Sequence, residues 1–107
     1  MASGQRMTLP TALMLSAIAE GARYGFDIMD ATGLPSGTVY PALRRLESRD
    51  CLRSRWEAAG VALSAGRPRR RVYEITKAGD ALLPAARAKL AALPGLSGGR
   101  VLRPSEG

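Results

Sequence analysis

Two runs of arginine carry the chemistry that this sequence offers. Arg44 and Arg45 are adjacent in a stretch of regular apolar spacing, and Arg67, Arg69, Arg70 and Arg71 crowd around Pro68. A guanidinium is a planar fork that grips phosphate oxygens, or O6 and N7 of guanine, through two hydrogen bonds at once. Residues 44–71 hold nine bases (Arg44, Arg45, Arg49, Arg53, Arg55, Arg67, Arg69, Arg70, Arg71) against three acids (Glu47, Asp50, Glu57). Most of the chain's net charge of +7, from 16 Lys+Arg and 9 Asp+Glu, therefore sits in one segment. So localised a basic surface points to a polyanion partner; the plainer account is a solvated charged face.

Other chemistries have little to work with. There is no histidine and one cysteine, Cys51, so an intrachain disulfide and a Cys/His zinc site are both absent. Asp27 and Asp30 suggest a carboxylate pair, but no histidine or nucleophile accompanies them. No catalytic residue, metal or cofactor is expected. Cys51 fits a small buried apolar role better than a redox one. No apolar run approaches the ~18 residues of a membrane span, and the polar start Met1–Met7 lacks a signal-peptide core. A cytoplasmic protein without a membrane partner is expected.

The elements that must hold the arginines follow from apolar spacing. Residues 1–7 read as a disordered arm. Leu9, Ala12, Leu13, Ala17 and Ile18 recur at helical spacing, with Thr8 as cap, Pro10 in the first turn and Gly21 as the end. A short second helix fits Gly25–Ala31, with Met29 and either Phe26 or Ile28 facing inward and Gly33 as a left-handed terminator. The third helix starts at Ser36 or Thr38 and reaches Asp50. Thr38 as cap would leave Pro41 in the first turn, where a missing N–H costs nothing. Val39, Leu43 and Leu46 form its core stripe with Ala42 beside them. At about 100° per residue the far side carries Gly37, Pro41, Arg44, Arg45 and Ser48, with Tyr40 on the flank.

Leu52–Glu57 and Arg70–Ile75 alternate as strands. Ala58–Pro68 between them reads as a small-residue loop, long for a hairpin. Trp56, at a strand end, is expected to pack on a neighbouring helix. Thr76 caps a last helix, Lys77–Leu93, kinked at Pro84. Leu82, Ala86, Leu90 and Leu93 share one side of it, and Leu83 widens the arc beyond what one partner should hide. The tail 94–107 reads as disordered. Three helices, a hairpin and a helix make a winged helix-turn-helix, an α+β fold that is mostly α, whose third helix enters the major groove. Residues 8–76 would be the DNA-binding domain and 77–93 a dimerisation helix.

Four pieces of this chain resemble, in the same order, the PadR family of transcriptional regulators. They are Tyr24-Gly25-Phe26-Asp27-Ile28; Gly37-Thr38-Val39-Tyr40-Pro41-Ala42-Leu43-Arg44-Arg45-Leu46-Glu47; Gly66-Arg67-Pro68-Arg69-Arg70 leading to Tyr73; and Thr76-Lys77-Ala78-Gly79. The resemblance covers about residues 9–93. It implies a dimeric winged-helix regulator, often a repressor, that touches DNA through the third helix and the wing and dimerises through the last helix.

The DNA-binding set is therefore Ser36, Gly37, Thr38, Tyr40, Pro41, Arg44, Arg45 and Ser48, with Arg67, Arg69 and Arg70 at the foot of the wing. Tyr40 can donate to a phosphate or pack against the wing. The wing bases can hold phosphates or a minor groove, or guard an edge strand. The dimerisation set is Leu82, Leu83, Ala86, Leu90 and Leu93. The expected function is a sequence-specific regulator, a homodimer on double-stranded DNA, open to a small-molecule or protein effector. The rival readings are a winged-helix protein-interaction module and a non-specific nucleic-acid-binding protein.

Overall fold

The Thr8 hydroxyl accepts a hydrogen bond from the Thr11 N–H and opens α1 (Leu9–Ala19), with Pro10 in the first turn. The computed structural model describes residues 7–93. α1 is apolar almost all round, the mark of a central helix. Its Ala12, Met14, Leu15 and Ile18 are buried, while Leu13 and Ala17 are half-covered. Gly21, at φ +119°, ends the segment. α2 (Gly25–Thr32) buries Ile28 and closes on Gly33 at φ +77°, the left-handed position expected for it. Phe26 points outward instead of into the core.

α3 (Ser36–Ser48) starts two residues before Thr38, with Pro35 as its cap. The Pro35 carbonyl accepts from Thr38 and Val39 at 2.9 and 3.0 Å. Pro41 consequently lies inside the helix and not in its first turn. Past the end of α3, Asp50 takes the left-handed conformation at φ +62°, a place usually given to glycine. Leu52 then begins β1 (Leu52–Trp56), which pairs antiparallel with β2 (Arg71–Ile75), placing Ser54 opposite Tyr73 and Trp56 opposite Arg71. The Tyr73 N–H also reaches the Arg23 carbonyl at 2.7 Å, so the segment before α2 runs beside β2.

Two expectations fail here. Ala58–Pro68 is not a plain loop: it contains α4 (Ala59–Ala65), closed by Gly66 at φ +69°. Alanine is the strongest helix former, and the three alanines of this helix outweigh Gly60. The last helix is not one kinked rod. It is α5 (Lys77–Asp80), capped by Thr76, and α6 (Leu83–Ala91). Pro84 sits in the first turn of α6, where its missing N–H is harmless, so it starts a helix.

The core gathers Met14, Leu15, Ile28, Val39, Leu43, Leu46 and Leu52 around α1, and α6 adds Leu83 and Ala86. Each fully buried aliphatic contributes about 1.5–3 kcal/mol. α6 is thus part of the winged domain's core. Met7 is half-buried against it, while the arm 1–6 and the tail 94–107 lie outside the described residues. No helix among the described residues is long and apolar enough to cross a membrane.

Candidate nucleic-acid interface

α3 separates its residues by side. Val39, Ala42, Leu43 and Leu46 are buried; Ser36, Gly37, Tyr40, Arg44, Arg45 and Ser48 are exposed, with Thr38 and Pro41 between. Because Pro41 has no N–H, the Gly37 carbonyl lacks its usual helical donor on this open face. Ser48 bonds back to the Arg45 carbonyl at 2.9 Å, which leaves its oxygen as an acceptor. The Tyr40 ring lies across Gly25 at the start of α2. A β-carbon on Gly25 would come within 2.7 Å of the ring, so glycine makes room for the tyrosine.

The foot of the wing is built around Glu57, which is 3% exposed. Arg67 donates to both of its carboxylate oxygens, at 2.6 and 3.0 Å. The Arg70 N–H adds a bond at 3.2 Å, its guanidinium lies 3.6 Å away, and the Tyr24 hydroxyl donates at 3.3 Å. Arg69 binds the Glu57 carbonyl at 2.8 Å. The hydrogen bond from Arg67 is the main reason that the carboxyl titrates at about 2, well below the ordinary 4.5. Arg70 also stacks on Tyr24, 3.6 Å from the ring centroid. Of the three wing bases named from sequence, Arg69 is exposed, whereas Arg67 and Arg70 are half-buried and engaged in holding the wing's foot.

Sequence reasoning missed Glu57, which counted only as one acid among bases. Arg71, counted in the basic cluster but left out of the DNA-binding set, has a structural part that the sequence did not show. This side chain donates to the Ser54 hydroxyl at 3.0 Å, lies over Trp56 at 5.0 Å and approaches Glu47 of α3 at 4.0 Å. Ser54 in turn donates to Glu47, so the wing and α3 are tied together. Trp56, expected to pack on a neighbouring helix, is instead 53% exposed.

The expected dimerisation stripe is largely used within the chain. Leu83 and Ala86 are buried against α1, and Leu82, Leu90 and Leu93 are half-buried. The sequence allowed one flank of the stripe to pack on the first helix and left the arc widened by Leu83 uncovered; in the structure Leu83 is itself buried. What stays open is a groove of about 370 Å³ between α1, α2 and α6, lined by Leu13, Ala17, Ala22, Ala31 and Leu90. Cys51 is buried, as expected, and burial pushes its thiol up. Among the described residues no cluster of His, Cys, Asp and Glu could hold a metal ion.

Comparison with known proteins supports the same picture. The model of the transcriptional regulator PadR-like family matches residues 14–85. A PadR-family transcription regulator from Clostridium difficile R20291 is 22% identical over 94% of this chain and 100% of its own, with a TM-score of 0.63. A PadR-like transcriptional regulator from Bacillus cereus is 20% identical over 91% of each chain, with a TM-score of 0.59. Bordetella bronchiseptica BpsR, described for the regulation of its DNA binding by 6-hydroxynicotinic acid, is 18% identical over 97% of this chain and 72% of its own, with a TM-score of 0.60. At these identities the likeness is one of fold. No curated protein matches the chain. With a family model spanning most of the sequence, and with helices and wing arranged as above, the chain belongs to the PadR-like family of transcriptional regulators: it is a winged-helix DNA-binding regulator and not an enzyme.

Proposed function

We propose that the protein is a cytoplasmic homodimeric repressor that reads a roughly palindromic operator. The observation that carries this is the outward face of α3: Ser36, Gly37, Tyr40, Arg44 and Arg45 stand exposed on a helix whose other side is locked in the core. Arg44 and Arg45 read base edges or phosphates in the major groove, and Arg69 holds the backbone from the wing. The groove beside Leu13, Ala17 and Leu90 receives the second copy. A two-fold pair presents two copies of α3 to half-sites about one helical turn, ~10 bp, apart. A small molecule or protein that alters the angle between the two wings would regulate binding; a small molecule, 6-hydroxynicotinic acid, regulates DNA binding in the structurally similar BpsR.

Selection of bound duplexes from a random pool tests the reading. An enriched inverted repeat is the expected result. Enrichment of a single, non-repeated motif removes the dimer, and no enrichment at all removes sequence-specific binding.

A further inference from the structure

The chain has one Phe, one Trp and three Tyr, and all five aromatic rings line a single cleft of about 200 Å³ between the start of α2, α3 and the wing. Tyr24 and Tyr73 form its inner wall, half-buried and buried respectively. Phe26, Trp56 and Tyr40 form its rim and are 69%, 53% and 37% exposed. Arg69, Arg70 and Arg71 close the wing side. Large aromatics left in water are a standing cost, and a cluster of them marks a contact surface.

The position of the cleft selects its occupant. Tyr40 belongs to the helix assigned to the major groove; Trp56 and Arg71 are a cross-strand pair in the wing. What separates one groove of a duplex from the next is a sugar–phosphate strand. That strand alternates apolar deoxyribose faces with anionic phosphates, and the cleft alternates aromatic faces with guanidinium groups.

We propose that this aromatic cleft seats one sugar–phosphate strand of the bound duplex, with deoxyribose packed on Phe26 and Trp56 and the flanking phosphates held by Arg69 and Arg71. The proposal rests on the DNA-binding reading and adds to it two contact residues, Phe26 and Trp56. Gly25 belongs to the same device: without a β-carbon it lets Tyr40 come close to the start of α2 and shape the cleft. The apolar share of such a contact is independent of sequence, because every nucleotide carries the same sugar. It is also independent of salt, because packing against a sugar releases no counterion.

Those two properties define the test. A labelled random-sequence duplex is titrated at several salt concentrations, following DNA anisotropy and the emission of Trp56, the chain's one tryptophan. Trp56 emission should change in step with anisotropy. Phe26→Ala should weaken binding about three- to tenfold with the salt slope unchanged, and Phe26→Tyr should bind as the parent does. Arg69→Ala should instead flatten the slope by about one. Phe26 is exposed, so its variants should melt with the parent. Binding that leaves Trp56 emission unchanged, or Phe26→Ala binding as tightly as the parent, would overturn the cleft while leaving DNA binding intact. A parent protein that gives no anisotropy change at low salt would overturn both.

Discussion

Glu57 and Arg67 close the wing at its foot: ten positions apart in the chain, they meet through two hydrogen bonds, 2.6 and 3.0 Å long, on a carboxylate almost wholly withdrawn from water. The same carboxylate fixes Arg70, whose guanidinium covers Tyr24. One acid therefore holds two bases, on either side of Pro68, at the foot of the wing.

Glu57→Gln should loosen this foot, since two half-buried arginines lose the counter-charge that holds them. Its melting temperature should fall, and elastase should cut within 58–66 faster than in the parent. The pH profile carries a second sign. A carboxyl depressed from 4.5 to about 2 stabilises the fold above pH 4.5, and this contribution is lost as the pH falls towards 2. Between those values the parent should lose stability more steeply than Glu57→Gln. Parallel curves would show that the pair does not hold the wing.

Gly79 tests the junction between the wing and the C-terminal helices. It is buried in α5, and a β-carbon there would overlap the Cys51 carbonyl and lie 2.9 Å from Ile75. Backbone cannot swing aside as a side chain can. Gly79→Ala should cost about 1–3 kcal/mol or more, read as a drop in the denaturant midpoint. An unchanged midpoint would mean that α5 docks differently.

The residues explain which of these features were legible in advance. Val39, Leu43 and Leu46 are three or four apart, and that spacing alone fixes which side of α3 turns outward, so Arg44 and Arg45 could be named. Gly33 and Thr76 could be placed because local backbone chemistry decides them. Glu57 could not, because its arginine partners arrive through the return of the chain after α4 and Tyr24 comes from before α2. The exposure of Phe26 and Trp56 was hidden for the same reason: hydrophobic type argues for burial, and only the assembled surface shows otherwise. The break between α5 and α6 left a readable sign in Pro84, which favours a first turn over a helix interior.

The dimer has its own check at the groove between α1 and α6. Leu13→Glu and Leu90→Glu each place a charge in a seam that a second copy would keep dry, and should weaken self-association at least about a hundredfold. Sedimentation should show monomers, with the helical circular-dichroism signal kept. A parent protein that sediments as a monomer at micromolar concentration and still binds its operator tightly would rule out the dimer.

The most direct measurement of the central claim is the ratio of affinities for the selected operator and a scrambled duplex at one fixed salt concentration, for the parent and for Arg44→Ala. If the exposed face of α3 reads sequence, the parent ratio should be about a thousand or more. Arg44→Ala should then lose ~1–3 kcal/mol on the operator and far less on the scrambled duplex. A parent ratio near one, or an equal loss on both duplexes, would contradict sequence reading by this face.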